Sequence, residues 1–381
     1  MIALQKKKFS LTTGSIYLNC AYMSPLPKEV EKIGTEAIKR KRNPAAIPAE
    51  DFFTGAEKLR HEFAKLVHAP SERIAIIPSV SYGLANAAKN IKLDRTHNVI
   101  VAGEQFPSNV YPWMTLCQEN NAELRIVNPP DTLASRGKIW NESLLDAIDQ
   151  HTKLVALGNV HWADGTKFDL QAIRKRTRDV GALLAIDGTQ SVGALPFDVN
   201  IIQPDVLVCA GYKWLLGPYG IGLAYYGPYF DQGKPIEQNW IARKNSEDFT
   251  GLVIYQEEYQ PGALRYEMGE RSNFILVPMM TAALKLINGW KPENIQNYCA
   301  KISRKPIESL RDAGFWVEDE NFRAHHLFGI RLPASADFQK IKSRLKKEKI
   351  SISFRGNAIR TAPNIYNAEA DLTKLVKALT S

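Results

Sequence analysis

A single lysine, Lys213, lies in the apolar, aromatic and glycine-rich stretch DVLVCAGYKWLLGPYGIG at residues 205–222. A lysine in such a setting usually extends its charged end to water along an apolar stem. The alternative is an amine kept half desolvated because it performs nucleophilic or proton-transfer chemistry. Asp187 offers a similar choice, because it ends the apolar run LLAID. Its carboxylate either caps the next turn or holds a cation.

Other polar side chains follow apolar runs in the same way. They occupy residues 79–82, 105–109, 161–165, 187–190 and 211–213. In an open parallel sheet the carboxyl ends of the strands share one edge, and ligands bind there. The sequence therefore predicts that these five groups meet at one site.

Seven short apolar runs, most of them followed by an amphipathic stretch, predict the sheet that positions these groups. The runs are residues 73–79, 98–106, 123–130, 153–162, 182–188, 205–211 and 220–227. Unbroken apolar strands are typical of a mostly parallel sheet that is covered on both faces. The last two runs are too close together for a helix between them, so a tight loop is predicted to carry Lys213.

The pattern changes in the last third of the chain. Residues 234–270 have little periodicity and several prolines and glycines, which predicts a long connection. From about residue 275, helices alternate with short strands, as in a smaller α+β unit. We therefore expect an α/β protein with a large domain at residues 15–260 and a small α+β domain formed by residues 1–14 and 261–381.

Composition narrows the class of protein. Of the 381 residues, 45% are hydrophobic and 23% are charged, as in ordinary globular proteins. The net charge of +9 is dispersed in short basic groups, which favours solvated helix faces over a nucleic-acid partner. The four cysteines form no CxxC pair, and His325 and His326 would point to opposite faces of a strand, so no metal is expected. No long apolar segment follows the N-terminus, so we expect a cytoplasmic protein with no membrane partner.

Lys213 and Asp187 together match the needs of one cofactor. Pyridoxal 5'-phosphate requires a carboxylate that keeps its ring nitrogen protonated and a lysine that forms a Schiff base. The stretch AIDGTQSVGALPFDV, followed by the one that carries Lys213, resembles class V of the fold-type I pyridoxal-phosphate enzymes. This group contains cysteine desulfurases, kynureninases and several aminotransferases. The resemblance runs from IYLNCAYMSPLP at 16–27 to AIRTAPNIYNAEADLTKLVKAL at 358–379.

The resemblance implies a fold and roles for individual residues. The fold is aspartate-aminotransferase-like, with a seven-stranded, mostly parallel sheet in the large domain. Lys213 would form the Schiff base and carry a proton, while Asp187 would pair with the pyridinium nitrogen. Gln190 would bind the phenolic oxygen of the ring, and Phe106 would stack over it. Tyr212 stands where kynureninases have tyrosine, so its hydroxyl is expected at the cofactor phosphate.

The phosphate itself is expected at a strand-to-helix junction. Val80 and Ser81 lie there, and backbone N–H groups at a helix start favour an anion. Trp162 stands where desulfurases have a cofactor-contacting asparagine, and we expect it to form a pocket wall. The resemblance also implies a homodimer with the active site at the subunit interface, in which Arg271 and Ser272 extend toward the partner's cofactor phosphate.

Substrate binding is predicted at the two ends of the resemblance. Arg360 matches the arginine that takes the substrate α-carboxylate in this family, and a guanidinium suits a carboxylate because it donates two parallel hydrogen bonds. The alternative is a surface arginine on a strand of the small domain. Asn19 is the second residue expected to contact the substrate.

Three functions remain open at this point. Transamination needs only the core residues and a carboxylate anchor, so an aminotransferase-like enzyme of class V is the first hypothesis. A lyase or epimerase, kynureninase-like or desulfurase-like, is the second, although the cysteine that desulfurases carry just before Arg360 is missing. A protein that binds pyridoxal phosphate without catalysis is the third.

Overall fold

The computed structural model describes residues 2–356 and 358–381. Its strands are β1 (Ile16–Tyr17), β2 (Ile74–Ile77), β3 (Asn98–Ala102), β4 (Glu123–Val127), β5 (Thr152–Gly158), β6 (Leu183–Asp187), β7 (Val206–Ala210), β8 (Gly222–Tyr226), β9 (Phe328–Arg331), β10 (Ile350–Ser351), β11 (Ser353–Arg355) and β12 (Ala358–Thr361). Its α-helices are α1 (Lys28–Arg40), α2 (Asp51–Val67), α3 (Val80–Asn90), α4 (Tyr111–Asn120), α5 (Arg136–Ala147), α6 (Leu170–Asp179), α7 (Val199–Ile202), α8 (Leu276–Trp290), α9 (Pro292–Asp312), α10 (Phe338–Lys347) and α11 (Glu369–Thr380).

Strands β2 to β8 form one seven-stranded sheet in the order β2-β8-β7-β6-β5-β3-β4. The pairs among β7, β6, β5, β3 and β4 are parallel, and β8 runs antiparallel to both of its neighbours. Each of the seven predicted runs coincides with one of these strands, and β5 begins one residue before its run. The sheet confirms the predicted α/β fold class with a mostly parallel, seven-stranded sheet.

Two apolar cores lie on opposite faces of this sheet. Val206 and Val208 of β7 point into one core, and Leu207 between them points into the other, because successive residues of a strand face opposite sides. All three side chains are almost completely buried. Burial of one such side chain stabilises the fold by about 1.5 to 3 kcal/mol, so the central strands form a rigid base for the loops at their ends.

The C-terminal part forms two smaller sheets. Strands β11, β12 and β9 form an antiparallel sheet in that order, while β1 pairs in parallel with β10. Strand β1 therefore lies on the C-terminal part of the chain, although the predicted domain division assigns it to the large domain. That division, residues 15–260 against residues 1–14 with 261–381, stays a prediction.

Two elements differ from the sequence-based expectation. Helix α1 was not expected, because KEVEKIGTEAIKR is mostly charged and only Val30 and Gly34 are buried. The stretch ISISFRG at residues 350–356 alone predicts a single strand, but it is divided at Ile352 into β10 and β11, which join different sheets. The segment from 234 to 270 contains only short 3-10 turns, as expected of a connection.

Candidate active site

A cavity of about 210 Å³ opens at the carboxyl ends of β5, β6 and β7, beside the N-terminus of α3. Eight of the twelve predicted site residues line it: Val80, Ser81, Phe106, Trp162, Asp187, Gln190, Tyr212 and Lys213. The sheet thus brings together side chains that are up to 133 positions apart in the sequence (213 minus 80).

Lys213 is held by the loop between β7 and β8, which contains no helix, as predicted. The Gly211 N–H donates to the carbonyl of Ile221 over 3.0 Å, and the Gly217 N–H donates to the carbonyl of Gly211 over 2.9 Å. A Cβ atom at Gly211 would lie 2.5 Å from the Ile221 oxygen, so this close approach requires glycine. The loop leaves Lys213 8% exposed at the bottom of the cavity.

Burial changes the chemistry of the Lys213 amine. Its pKa is lowered from 10.5 to about 8, mainly by desolvation, with a smaller contribution from the positive charges of Arg360 and Arg355 and against the opposing effect of Asp187. Its Nζ atom lies 5.5 Å from the ring centres of both Phe106 and Tyr212. About a tenth of this amine is therefore unprotonated at pH 7, far more than for an ordinary lysine, and only the unprotonated form can act as a nucleophile or base.

Asp187 ends β6 and faces the cavity. Thr189 hydrogen-bonds to its carboxylate, with the Thr189 N–H donating to Oδ1 over 2.9 Å. Burial raises the pKa of this carboxyl, while Thr189 and the charge of Lys213 oppose the rise. Asp187 thus caps the following turn and also lines the cavity, while its contact with a cation or a cofactor stays a prediction.

Gln190 is fixed by three neighbours. Its Oε1 accepts from the Trp214 indole over 2.9 Å, and its Nε2 donates to the Ala21 carbonyl over 3.0 Å. The ring of His326 lies 2.8 Å from the Gln190 carbonyl, and burial lowers the pKa of this histidine to about 4. One amide proton of Gln190 remains for a ligand. Its contact with the phenolic oxygen stays a prediction.

The N-terminus of α3 is suited to an anion. Ser79 caps the helix, its Oγ accepting from the Tyr82 N–H over 3.2 Å, and the hydroxyls of Ser79 and Ser81 are 2.9 Å apart. The first turn contains no acidic residue, so its N–H groups and the helix dipole favour negative charge. Ser79 lines the cavity beside Val80 and Ser81. It lies in the predicted group at residues 79–82, but the family resemblance assigned it no role. Its position as the capping serine was the available signal.

Two aromatic pairs form the walls. Phe106 and Trp162 meet edge to face with ring centres 5.4 Å apart, and the Trp162 indole donates to the Glu104 carbonyl over 2.7 Å. Tyr212 packs on Tyr219 with ring centres 4.5 Å apart. Tyr219 was not predicted, although it lies in the glycine-rich loop that carries the lysine. The walls fit a flat aromatic ligand, while the predicted contacts of Phe106, Trp162 and Tyr212 with a cofactor stay predictions.

Arg360 and Asn19 do not line the cavity but adjoin its wall. Arg360 is 1% exposed, so the surface alternative is wrong. Its Nη1 donates to the Trp162 carbonyl over 2.9 Å, and its Nη2 lies 3.5 Å from the Ser353 hydroxyl, which donates to Asn19 over 2.7 Å. The Nε of Arg360 is buried without a partner. An unpaired donor of this kind is what an anionic ligand would satisfy.

Arg271 and Ser272 lie away from the cavity of their own chain. Arg271 is 1% exposed, and its Nη1 forms an ion pair with Glu267. Ser272 donates to the carbonyl of Phe52. To reach a partner's phosphate, Arg271 would have to leave a buried ion pair. That contact stays a prediction for both residues.

Other chemistry finds little support in the described residues. The four cysteines are all buried, and none lines the cavity. No group of three or more His, Cys, Asp and Glu side chains in the described part of the chain could hold a metal ion. No helix among the described residues has the length and apolar character needed to cross a membrane.

The donor set of the cavity fits pyridoxal 5'-phosphate. A largely desolvated amine, a carboxylate and an amide with a spare proton surround a space with aromatic walls. The start of α3 supplies an anion site at one end of that space. All of these features are contacts and positions within this chain.

Known proteins are similar to this chain over most of its length. An uncharacterised aminotransferase of Bacillus subtilis is 27% identical over 83% of this chain and 80% of its own. A probable cysteine desulfurase of Methanothermobacter thermautotrophicus is 28% identical over 58% of this chain and 55% of its own. The chain thus spans about half the length of this second relative.

A solved structure has the same fold. The cystine C-S lyase C-DES, in a form with glycine covalently linked to its pyridoxal-phosphate cofactor, superimposes with a TM-score of 0.86 at 18% identity, covering 99% of both chains. This likeness confirms the predicted fold-type I architecture. The family model for aminotransferase class-V matches residues 16–377. The chain therefore belongs to the aminotransferase class-V family of pyridoxal-phosphate-dependent enzymes.

Proposed function

We propose that the protein is an aminotransferase that uses pyridoxal 5'-phosphate and acts on an amino acid through Lys213. One observation carries this proposal. The amine of Lys213, with a pKa of about 8, shares a cavity with the Asp187 carboxylate at the ends of the adjacent parallel strands β7 and β6. A desolvated amine that shares a cavity with a carboxylate and forms no ion pair with it is suited to bind a ligand.

Several residues would hold the cofactor. Asp187 would bind its ring nitrogen, Gln190 its phenolic oxygen, and the start of α3 with Ser79 and Ser81 its phosphate. When bound, the cofactor supplies an acceptor for the electron pair that remains when a bond to the amino-acid Cα breaks. Phe106 and Trp162 form an aromatic wall that keeps the local dielectric low, which strengthens the interaction of Asp187 with a cation.

Lys213 would move the proton. Its unprotonated Nζ can accept the proton of the substrate Cα and deliver it to a second position, which is general base and then general acid catalysis. The fraction of unprotonated amine falls as the pH decreases below about 8. Arg360 would orient the substrate, because its unpaired Nε can bind the α-carboxylate while its Nη1 stays bonded to the Trp162 carbonyl.

A lyase acting on a sulfur-containing amino acid is the second candidate. It is favoured by the relative named as a probable cysteine desulfurase. The desulfurase form of this reaction requires an enzyme thiol, and Cys20 is completely buried with its pKa raised to about 11 by desolvation. A lyase that releases the sulfur-containing fragment needs no such thiol. We place it below transamination because no cavity residue is specific to sulfur.

The first experiment tests cofactor binding at Lys213. Purified protein reconstituted with pyridoxal 5'-phosphate is expected to absorb visible light. Reduction with borohydride is expected to leave the cofactor covalently attached to the peptide that contains Lys213, as seen by mass spectrometry. Lys305→Ala, at an exposed position of α9, is the control and should be labelled normally. A colourless protein that cannot be reconstituted would contradict both candidate functions.

The second experiment separates the two reactions. Amino acids are incubated with the loaded enzyme, with and without an added keto acid, and the products are identified. An aminotransferase forms a new amino acid only when the keto acid is present. Release of ammonia or sulfide without a keto acid would instead establish the lyase. Amino-acid-dependent spectral change without either product would indicate a protein that binds the cofactor but does not turn over.

We also propose a homodimer. The connection between the two parts of the chain exposes a run of apolar side chains, with Val253 83%, Ile254 66% and Tyr255 95% exposed. Apolar side chains in such a run are typical of a surface that is covered in an assembly. Light scattering should give a mass near twice 42.7 kDa, and Tyr255→Lys with Ile254→Lys should shift it toward the monomer.

A further inference from the structure

A second arginine, Arg355, lies beside Arg360 at the same wall of the cavity. Their Cζ atoms are 5.4 Å and 5.9 Å, respectively, from the centre of the Trp162 indole. In the register of β11 and β12, Ser353 lies opposite Arg360 and Arg355 lies opposite Ala358. Alternate residues of a strand share a face, and so do directly paired residues. Both arginines therefore project from one face of the small sheet toward Trp162.

Neither guanidinium is neutralised by the protein. No carboxylate among the described residues pairs with Arg355 or Arg360, and their hydrogen bonds in the described part of the chain go to two carbonyl groups and one hydroxyl. The Nε atom of each is buried without a partner. Arg360 is buried and Arg355 is half-buried beside it, and a buried charge is costly unless it is paired. Two adjacent unpaired cations therefore indicate that a ligand with more than one negative charge completes this wall.

Both charges act on the reacting amine. Arg360 and Arg355 each lower the pKa of Lys213, so their guanidinium groups lie close enough to influence its protonation. The α-carboxylate of an amino acid beside Lys213 satisfies only one of them. The start of α3, where the phosphate is expected, is formed by other residues and does not include Arg355.

We propose that the substrate is an amino dicarboxylate, whose α-carboxylate binds Arg360 and whose side-chain carboxylate binds Arg355. This inference rests on the proposed function, because it names the substrate class of the same site. Arginine suits the second carboxylate because its planar fork can donate two hydrogen bonds to it. The alternative for Arg355 is a purely structural cation–π contact with Trp162.

The test uses two unreactive probes that differ only in the second carboxylate. Binding of succinate and of butyrate to the cofactor-loaded protein is measured by calorimetry. Succinate is expected to bind about 10- to 100-fold more tightly than butyrate, as one additional charged hydrogen-bonded pair predicts. Equal affinity for the two probes in the wild-type protein would overturn the proposal, and this comparison requires no variant.

Arg355→Gln then assigns the preference to a residue. In this variant the succinate preference is expected to fall at least tenfold while butyrate affinity stays unchanged. Arg355→Lys should retain part of the preference, and Arg42→Gln, at an exposed position, should retain all of it. An unchanged preference in Arg355→Gln, with a melting temperature like that of the wild-type protein, would show that Arg355 is structural.

Activity measurements distinguish an error in the proposed function from an error in the proposed substrate class. Aspartate is expected to react with a higher kcat/KM than asparagine, and Arg355→Gln should reverse or abolish this ratio. If no amino acid reacts but succinate is preferred, the proposed function is wrong and the second anion site remains. If asparagine or other neutral amino acids react best and succinate is not preferred, only the substrate class is wrong.

Discussion

Two buried groups of charged side chains in this protein are built in opposite ways. Around Glu267, Arg60 donates to both carboxylate oxygens over 3.1 and 3.2 Å, Arg271 donates to the same carboxylate, and the Ile76 N–H adds a bond of 3.1 Å. Three cations adjoin the cavity, namely Lys213, Arg355 and Arg360. No described carboxylate forms an ion pair with any of them.

The two groups show how a chain separates structure from function. Burial alone would raise the pKa of Glu267, yet Arg60 and Arg271 hold it below its usual value. Burial lowers the pKa of Lys213 to about 8 and that of Arg360 to about 10, and no internal anion restores them. A paired charge stabilises the fold, whereas an unpaired one weakens it and remains available to a ligand. Perturbed groups of this second kind concentrate at functional sites.

The largest effect should follow removal of the Lys213 amine. Lys213→Ala is expected to reduce kcat by about 10²- to 10⁴-fold, the range for loss of a positioned acid-base group. Its free energy of unfolding should not fall, because the amine makes no ion pair. Steady-state kinetics and urea unfolding measure the two quantities. A decrease in unfolding free energy of about 3 to 5 kcal/mol, the cost of breaking a buried ion pair, would contradict the contrast between the two groups.

The opposite result is expected at Glu267. Glu267→Gln leaves Arg60 and Arg271 buried without a charged partner, which should cost about 3 to 5 kcal/mol of unfolding free energy. The remaining folded enzyme should keep its kcat, since Glu267 does not line the cavity. Glu36→Gln, which breaks an exposed pair with Lys39, is the control and should change stability by no more than about 1 kcal/mol.

The same contrast explains what could be predicted from the sequence. The seven strands and the positions of Lys213 and Asp187 follow from local patterns, because an apolar run and the polar residue that ends it are adjacent in the chain. The partners of Glu267 do not, since Arg60 is 207 positions from it. The position of Arg355 depends on which face of β11 meets Trp162, and this face is set by tertiary pairing. Helix α1 forms against α8, so its own charged sequence gives little signal.

The pH dependence of the unfolding free energy tests directly whether Lys213 is an unpaired buried charge. In the cofactor-free protein, the folded state holds the Lys213 proton less tightly than the unfolded state, whose lysine keeps the ordinary pKa of 10.5. Protonation therefore reduces stability below pH 8, and this cost disappears as the pH rises from about 8 to 10.5. The shift corresponds to at most about 3 kcal/mol.

Lys213→Met should remove that dependence. The variant is expected to be more stable than the wild-type apoprotein at pH 7 by up to about 3 kcal/mol, and the difference should shrink toward pH 10.5. Urea unfolding at several pH values measures it. If the difference in unfolding free energy between the wild-type protein and the variant were the same at every pH, the amine would not be desolvated.

The smallest effect should come from Ser79. This residue has a structural role, because it caps α3, and it also lines the cavity. Ser79→Ala should cost about 1 kcal/mol of stability, the usual value for a lost N-cap. Asp169→Ala is the matched control, because Asp169 caps α6 through the Ala172 N–H over 3.0 Å and lies outside the cavity. Both variants should lose similar stability, but only Ser79→Ala should also weaken pyridoxal-phosphate affinity, measured by titrating the apoprotein. Equal cofactor affinity in the two variants would assign Ser79 to the structural group and move the phosphate site away from the start of α3.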